Sequence, residues 1–224
     1  MKAMILAAGR GTRMKHLTDK TPKPMLPVAD KPLIAHHVQR LVKAGFTEIV
    51  INHAYLGEQI EQYLGDGKDY GCHIQYSHEE QALETGGGIL QALPLLVNER
   101  EPCFAVVNGD VWSDMDYRLL NHSIHHDAHL FLVGNPSHNP SGDFYLHDGK
   151  VQIAGGGNAY TFSGLSILHK NLFKDCQLGA FKLAPLLKKA MQSELVTGEL
   201  YHGYWLDVGT PERLQEINQR LLNQ

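Results

Sequence analysis

The chain has 224 residues, 43% of them hydrophobic and 20% charged, with a formal net charge of −4. That length suits one large domain, or one with a modest subdomain, and lets about 70% of the unfolded surface be buried without disulfide staples. The composition excludes a disordered chain, the charge leaves no nucleic-acid footprint, and no apolar run approaches the ~20 residues of a membrane helix.

Ala3–Ala7 is a short apolar run leading to glycine and reads as a buried strand. Residues 9–30 read as a loop, because Pro22, Pro24 and Pro27 forbid regular helix across its middle. A helix is predicted from Pro32, with Leu33, Ile34, His37, Val38, Leu41 and Val42 on one face and Gly45 as its stop. Thr47–Asn52 reads as a second strand, Leu56–Leu64 as helix, Cys72–Tyr76 as extended and Gly86–Val97 as a helix that begins on glycines. Cys103–Asn108 (CFAVVN) has the continuous apolar character of a strand in the centre of a parallel sheet. This alternation predicts a doubly wound α/β sheet with right-handed crossovers. The second half is less regular, with strands at His129–Val133, Asp143–His147 and Thr161–Leu168 and helices at Ala180–Gln192 and Pro211–Leu222. No repeat, low-complexity tract or linker divides the chain, so residues 1–224 read as one domain with an inserted β-rich flap.

Cys72, Cys103 and Cys176 are widely spaced and form no Cys-x-x-Cys pair, which points to reduced thiols in a cytoplasm. The N-terminal apolar run is too short for a signal-peptide core. Charge is distributed unevenly: residues 1–32 hold seven bases and two acids, leaving −9 for the rest. A basic, Gly- and Pro-rich segment on an otherwise acidic chain is either a site for a small polyanion or a solvated basic face.

Two motifs in that segment favour the polyanion. In Leu6-Ala7-Ala8-Gly9-Arg10-Gly11-Thr12-Arg13-Met14, small residues after the first strand let backbone N–H groups approach a phosphate. The loop would lie at the carboxyl ends of the strands, where open α/β sheets bind ligands. It lacks the third glycine of a dinucleotide fingerprint and the Gly-Lys-Ser/Thr of a Walker A loop. In Thr21-Pro22-Lys23-Pro24-Met25-Leu26-Pro27, the prolines remove backbone freedom around Lys23, so its ammonium loses little entropy on meeting a phosphate.

LAAGRGTRM followed by TPKPMLPVADKP resembles the signature of the sugar-1-phosphate nucleotidyltransferases. Val107-Asn108-Gly109-Asp110 and Trp205-Leu206-Asp207-Val208-Gly209-Thr210-Pro211-Glu212 resemble that family's two metal-binding motifs, in the family's order. The resemblance implies a Rossmann-like doubly wound mixed sheet with a small β-rich sugar-binding insertion. Residues 1–112 would form the nucleotide-binding half, and 113–224 the sugar-binding half with the closing helices. It also implies joining of a nucleoside triphosphate to a sugar 1-phosphate, with release of pyrophosphate and no covalent enzyme intermediate. Mg²⁺ would be held by Asp110 and Asp207, although Asp207 alone reads as readily as a cap of the last helix.

By the same resemblance, Leu6, Ala7, Ala8 and Gly9 contact the uridine, Gly11, Thr12 and Arg13 the triphosphate, and Lys23 the phosphates of both substrates. Arg13 and Lys23 are then the catalytic residues, with Arg13 withdrawing charge from the leaving pyrophosphate. Thr85 and Asn108 complete the nucleotide contacts, and Gly142, Ser163, Gly164 and Lys182 supply those to the sugar. Lys182 fits a sugar carboxylate, a sugar phosphate or an ordinary helix start. In Glu79-Glu80-Gln81-Ala82-Leu83-Glu84, Glu84 stands where the family offers a backbone N–H to the base and Glu79 where a glutamine often stands. A carboxylate accepts the ring N–H of uracil or the ring and amino N–H groups of guanine, so the base stays open. The other reading of Glu79 and Glu80 is a solvated charge pair.

LETGGG, NGDVWSD, Gly142-Asp143-Phe144, Thr161-Phe162-Ser163-Gly164 and Ala180–Leu187 are most similar to family members that use UTP and N-acetylmuramic acid α-1-phosphate in peptidoglycan recycling. The resemblance implies a cytoplasmic enzyme, a monomer or weak homo-oligomer, with no nucleic-acid or membrane partner. Guanylyl or thymidylyl transfer to mannose or glucose 1-phosphate is the alternative, and a non-catalytic nucleotide-sensing subunit a more distant one. Many hexose-specific relatives carry a glutamate where this chain reads Ile153-Ala154-Gly155-Gly156-Gly157-Asn158-Ala159-Tyr160, and an open wall there would admit a sugar with a lactyl ether. His122, His125, His126 and His129 have spacings that could share a helix face, as exposed side chains or as a metal site.

Overall fold

The computed structural model describes residues 1–223. Its first half contains strands β1 (Lys2–Leu6), β2 (Pro27–Val28) and β3 (Lys31–Pro32), helix α1 (Leu33–Lys43), β4 (Glu48–His53), α2 (Glu58–Leu64), β5 (His73–His78), α3 (Glu84–Leu96) and β6 (Cys103–Asn108). There follow β7 (Val111–Ser113), β8 (Ala128–Val133), β9 (Phe144–His147), β10 (Lys150–Gln152), β11 (Ala159–His169), α4 (Leu183–Gln192), β12 (Val196–Tyr201), β13 (Trp205–Asp207) and α5 (Pro211–Leu222).

Nine strands form one mixed sheet in the order β5-β4-β1-β6-β11-β8-β12-β10-β9. β5, β4, β1 and β6 are parallel, with Ile5 in register with Ile51 on one side and Val107 on the other. β6 is thus parallel to β1 but meets β11 antiparallel, so CFAVVN lies where the sheet changes from parallel to mixed. β8, β11 and β12 continue this main sheet and are no separate flap; the β9–β10 hairpin stands at its edge.

Alternation along the strands sends side chains to two apolar layers. Ala3, Ile5, Ile49, Ile51, Ala105 and Val107 meet α1 and α2 through Ile34, Val38, Leu41, Ile60 and Leu64. Met4, Val50, Phe104, Val106 and Leu130 meet α3 and α4 through Ile89, Ala92, Leu96, Leu187 and Met191. A third cluster joins Val28 and Leu33 to Leu206, Val208 and Ile217, holding the last helix against the Pro-rich segment. β7 and β13 pair antiparallel with Asp207 opposite Val111, so two motifs nearly a hundred residues apart become neighbours.

Residues 9–30 are not wholly irregular: 3₁₀ turns cover Thr12–Thr18 and Lys23–Met25, the second starting just after Pro22 as a fixed φ allows. His122, His125 and His126 lie outside any helix, and His129 is on β8 with its Nδ1 2.9 Å from Thr197 Oγ1. The helix-face expectation therefore fails for these histidines, because the segment pairs as a strand from Ala128.

Candidate active site

The carboxyl ends of β1 and β6 form the floor of a cleft. Gly109 N–H donates to the Leu6 carbonyl at 2.9 Å, and a Cβ on Gly109 would lie 2.6 Å from that oxygen, so the approach requires glycine. Ala7 N–H donates to Asn52 Oδ1 at 3.0 Å, which fixes the chain as it leaves β1. Gly11 has φ +69°, and a Cβ there would lie 3.0 Å from Lys23 Cβ; the glycine loop is thereby folded onto the Pro-flanked lysine. Arg10 turns aside, its guanidinium 3.5 Å over the Tyr55 ring and Nη1 donating to the Thr18 carbonyl. Arg13 is exposed beside the cleft.

The cleft has a volume of about 430 Å³ and is lined by Leu6, Ala7, Ala8, Gly9, Gly11, Thr12, Arg13, Lys23, Glu79, Glu84, Thr85 and Asn108, every residue expected at the nucleotide. Asp110 and Gly209 line it too. Lys23 is 8% exposed, and its Nζ lies 2.5 Å from Asp110 Oδ2. The 22–25 turn fixes the stem, with Met25 N–H donating to the Pro22 carbonyl and Leu26 N–H to that of Lys23.

Asp207 approaches from β13. Val208 N–H donates to the Asp110 carbonyl at 2.7 Å, so the two acidic residues sit on adjacent backbones. A Cβ placed on Gly209 would lie 2.9 Å from Asp207 Oδ2 and 3.2 Å from Arg13 Nη2, which puts that arginine beside the second acid. Asp207 does not cap the last helix. Thr210 does, its hydroxyl accepting from Arg213 N–H, with Pro211 at the first helical position. The Asp207 carboxylate instead meets Arg213 Nη2 at 3.0 Å through Oδ2, while Oδ1 is buried and accepts no hydrogen bond although His138 Nε2 lies 2.9 Å away. Among the described residues no three His, Cys, Asp or Glu side chains cluster as a metal cage. Two carboxylates, one with an oxygen left over, fit a hard cation that takes its other oxygens from water and substrate phosphates.

Glu79 is 2% exposed and so is not half of a solvated pair, whereas Glu80 is exposed. Asn52 Nδ2 donates to its Oε1 at 2.7 Å and Leu83 N–H to its Oε2 at 3.0 Å. These bonds keep a buried carboxylate supplied with donors and close the chain into the start of α3. There Gly86 and Gly87 donate to the Phe181 carbonyl at 2.9 and 3.1 Å. Cβ atoms on Gly86, Gly87 and Gly88 would lie 2.5 Å from the Phe181 ring, 2.1 Å from the Gly179 carbonyl and 2.4 Å from Glu79 Oε1. The three glycines thus serve close packing around the helix start, and Glu84 and Thr85 just ahead of them line the cleft.

A second cavity, of about 520 Å³, shares Glu84, Thr85 and Asn108 with the first and adds Gly142 and Lys182. Ser163 and Gly164, expected at the sugar, do not line it. Ser163 is 1% exposed, its hydroxyl accepts from Leu165 N–H, and its carbonyl accepts from Trp205 Nε1 at 2.8 Å. A Cβ on Gly164, where φ is +78°, would lie 2.6 Å from Asn108 Nδ2, so this bulge backs Asn108 rather than lining the cavity. Asn52, His138, Arg213 and Lys188 were not anticipated and carry no local motif, whereas Phe144 and Phe162, which line the second cavity, lie within segments that carried the family resemblance without being named as contacts.

The nucleotidyl transferase family matches residues 2–145. A Neisseria meningitidis protein named N-acetylmuramate alpha-1-phosphate uridylyltransferase is 54% identical, over 96% of each chain. One of the same name from Caulobacter vibrioides is 33% identical, over 98% of this chain and 96% of its own. Mannose-1-phosphate guanyltransferase beta-A of Xenopus laevis is 31% identical over 95% of this chain, which spans 62% of that longer protein. Among solved structures, one from Bacillus anthracis described as a glucose-1-phosphate thymidylyltransferase superposes with a TM-score of 0.86, covering 98% of this chain and 94% of its own. At 23% identity that likeness is one of fold.

Proposed function

The chain belongs to the nucleotidyl transferase family, and from that premise we propose that it transfers a uridylyl group from UTP to N-acetylmuramic acid α-1-phosphate, giving UDP-N-acetylmuramic acid and pyrophosphate. The observation that carries the reading is 54% identity, across 96% of both chains, with the Neisseria meningitidis protein of that name. We place it in the cytoplasm, in keeping with the free thiols of Cys72, Cys103 and Cys176; no described helix is long and apolar enough to cross a membrane. We read it as a monomer or weak homo-oligomer.

In this reading a phosphate oxygen of the sugar 1-phosphate attacks the α-phosphorus of UTP in line. The bond from that phosphorus to the β-phosphate bridging oxygen breaks, and its electron pair leaves with pyrophosphate. The glycine loop cradles the triphosphate with N–H groups, and Arg13 beside Gly209 meets charge growing on the leaving group. Lys23 sits where it can touch the phosphates of both substrates, with little freedom left to lose. Asp110 and Asp207 would hold Mg²⁺, which when bound neutralises charge around the α-phosphate. No side chain needs to become covalently bonded, so the rate enhancement comes from positioning and electrostatics.

Guanylyl transfer to mannose 1-phosphate is the second reading, and the Xenopus laevis likeness favours it at 31% identity. Glu79 does not decide between the bases, since a carboxylate accepts the ring N–H of uracil and the ring and amino N–H groups of guanine alike. A nucleotide sensor has no use for Arg13, Lys23, Asp110 and Asp207 gathered in one place. The test is a panel of UTP, GTP, dTTP and ATP against N-acetylmuramic acid, mannose and glucose 1-phosphates, with Mg²⁺. UTP with N-acetylmuramic acid 1-phosphate is expected to give the highest kcat/KM; a higher value for GTP with mannose 1-phosphate would overturn the assignment.

A further inference from the structure

Arg10, Arg13 and Lys23 line the nucleotide cleft, and they are not equally committed. Arg10 lies over the Tyr55 ring and donates to the Thr18 carbonyl, while Lys23 pairs with Asp110. Arg13 reaches Gly209, whose Cβ would lie 3.2 Å from its Nη2 and 2.9 Å from Asp207 Oδ2. Yet among the described residues Arg13 forms neither an ion pair nor a hydrogen bond, and the carboxylate across the glycine is paired elsewhere. In a partly buried site two such opposite charges attract strongly, so something keeps them apart.

Arg213 is placed to do so. Its side chain and that of Asp207 are 13% and 16% exposed, and its Nη2 lies 3.0 Å from Asp207 Oδ2. The guanidinium passes over the backbone at residue 209, where a Cβ would lie 2.3 Å from Nη2, so the pair forms only across a glycine. The helix that carries Arg213 is itself fixed. Thr210 caps it, Ile217 packs with Val28, Leu33 and Val208, and Ala29 N–H donates to Asn218 Oδ1 at 2.7 Å. The other carboxylate oxygen, Oδ1, lies 2.9 Å from His138 Nε2. Both oxygens of Asp207 thus have a neighbour other than Arg13. Arg213 does not line the cleft, so it acts on the reaction only through what it holds.

We propose that Arg213 is a positioning residue: by taking Oδ2 of Asp207 it keeps that carboxylate from capturing Arg13, whose guanidinium stays free for the triphosphate. Without Arg213 a largely buried carboxylate loses its counter-charge, and Arg13, on the far side of Gly209, is the cation within reach to replace it. Lys23 is held by Asp110 and does not compete. The inference rests on the uridylyl-transfer reading, in which Arg13 meets the triphosphate, and adds the residue that leaves Arg13 available.

The test is a double-mutant cycle on UTP affinity, read by titration calorimetry of the full-length protein with Mg²⁺ and no sugar. Arg13→Met is expected to weaken UTP binding about tenfold, the scale of one hydrogen bond to a charged group, and Arg213→Met by a similar factor. The double variant is expected to bind UTP within about twofold of Arg13→Met, because no free guanidinium then remains to protect. Arg213→Lys keeps the counter-charge and should recover the affinity in part when Arg13 is present, and change nothing in the Arg13→Met background. Arg213→Gln serves the same cycle, with the same outcomes, where Arg213→Met does not fold. Losses that multiply in the double variant overturn the proposal. So does an unchanged UTP affinity in Arg213→Met with a lowered thermal midpoint, which is what a merely structural ion pair gives. Both results leave uridylyl transfer standing, whereas wild-type protein that binds no UTP overturns that reading and the role of Arg213 with it.

Discussion

Lys23 Nζ lies 2.5 Å from Asp110 Oδ2, a buried ammonium paired with a carboxylate that is one-third exposed at the cleft. Each partner therefore matters to the fold as well as to the proposed chemistry. Asp110→Ala leaves Lys23 without its counter-charge and should cost about 1–3 kcal/mol, below the full penalty of a broken buried pair because solvent reaches the site. Lys23→Met removes the charge and keeps the stem, so it should cost less stability yet lower kcat by on the order of 10²–10³. Denaturant midpoints and pyrophosphate release, measured on both variants, separate the two effects. Equal stability losses with unchanged turnover would count against the catalytic role of Lys23.

Gly87 is the tightest of the three glycines that open α3, with space for a Cβ only 2.1 Å from the Gly179 carbonyl. Backbone cannot swing aside as a flexible side chain can. Gly87→Ala should therefore destabilise by about 1–3 kcal/mol or more, despite alanine's better helix propensity. Gly156→Ala, where nothing lies within 4 Å of a new Cβ, is the control and should change little. Thermal denaturation of the two variants reads the difference.

Asn52 joins β1 to the base side of the cleft, accepting from Ala7 N–H and donating to Glu79. Asn52→Ala leaves a buried N–H without an acceptor and a buried carboxylate short of a donor, at about 1–3 kcal/mol for each unsatisfied group. The same change loosens both sides of the nucleotide cleft, so KM for UTP should rise more than kcat falls. An unaltered KM would show that Asn52 supports only the fold.

His37 on α1 is fully buried, with Nδ1 2.9 Å from the Tyr117 hydroxyl and Nε2 unpartnered. Burial first, then the Arg40 guanidinium over the Tyr117 ring, brings its pKa down to about 3 from 6.5. The folded protein keeps this ring neutral where the unfolded chain protonates it, so stability is lost as pH falls from about 6.5 toward 3. At pH 5.5 the loss is on the order of 1 kcal/mol. His129 adds in the same direction, its pKa lowered to about 4, chiefly by burial. The slope of unfolding free energy against pH should be shallower in His37→Asn than in wild type between pH 6 and 4, whatever the variant's absolute stability.

The phosphate-side residues were legible in the sequence because Leu6–Arg13, Pro22–Pro24 and Asn108–Asp110 are each continuous, and glycine and proline state their backbone demands locally. CFAVVN and Pro211–Leu222 were read to the residue for a similar reason, a pure apolar run and a Pro-started periodic helix. β12 was not read, since Gly198 interrupts its pattern. That glycine is needed because a Cβ there would lie 2.6 Å from the Leu130 carbonyl of the neighbouring strand. Glu79 read in the sequence either as a contact to the base or as half of a solvated pair with Glu80, and only the donors from Asn52 and Leu83 N–H decide against the solvated pair. Arg213 and His138 sit in unremarkable local sequence and acquire meaning only from where β13 and the 134–142 loop place Asp207. Local backbone chemistry can be read along a chain; a partner chosen by packing cannot.

The proposed seat of the chemistry is the pair of acids brought to adjacent backbones where β13 lies against β7, and pyrophosphate release by Asp207→Asn in excess Mg²⁺ tests it most directly. Asparagine keeps the size of the side chain and removes the charge, so circular dichroism should match wild type while turnover falls by at least about 10², as loss of one charged contact at a transition state does. Turnover within threefold of wild type, in a folded Asp207→Asn protein, would contradict it.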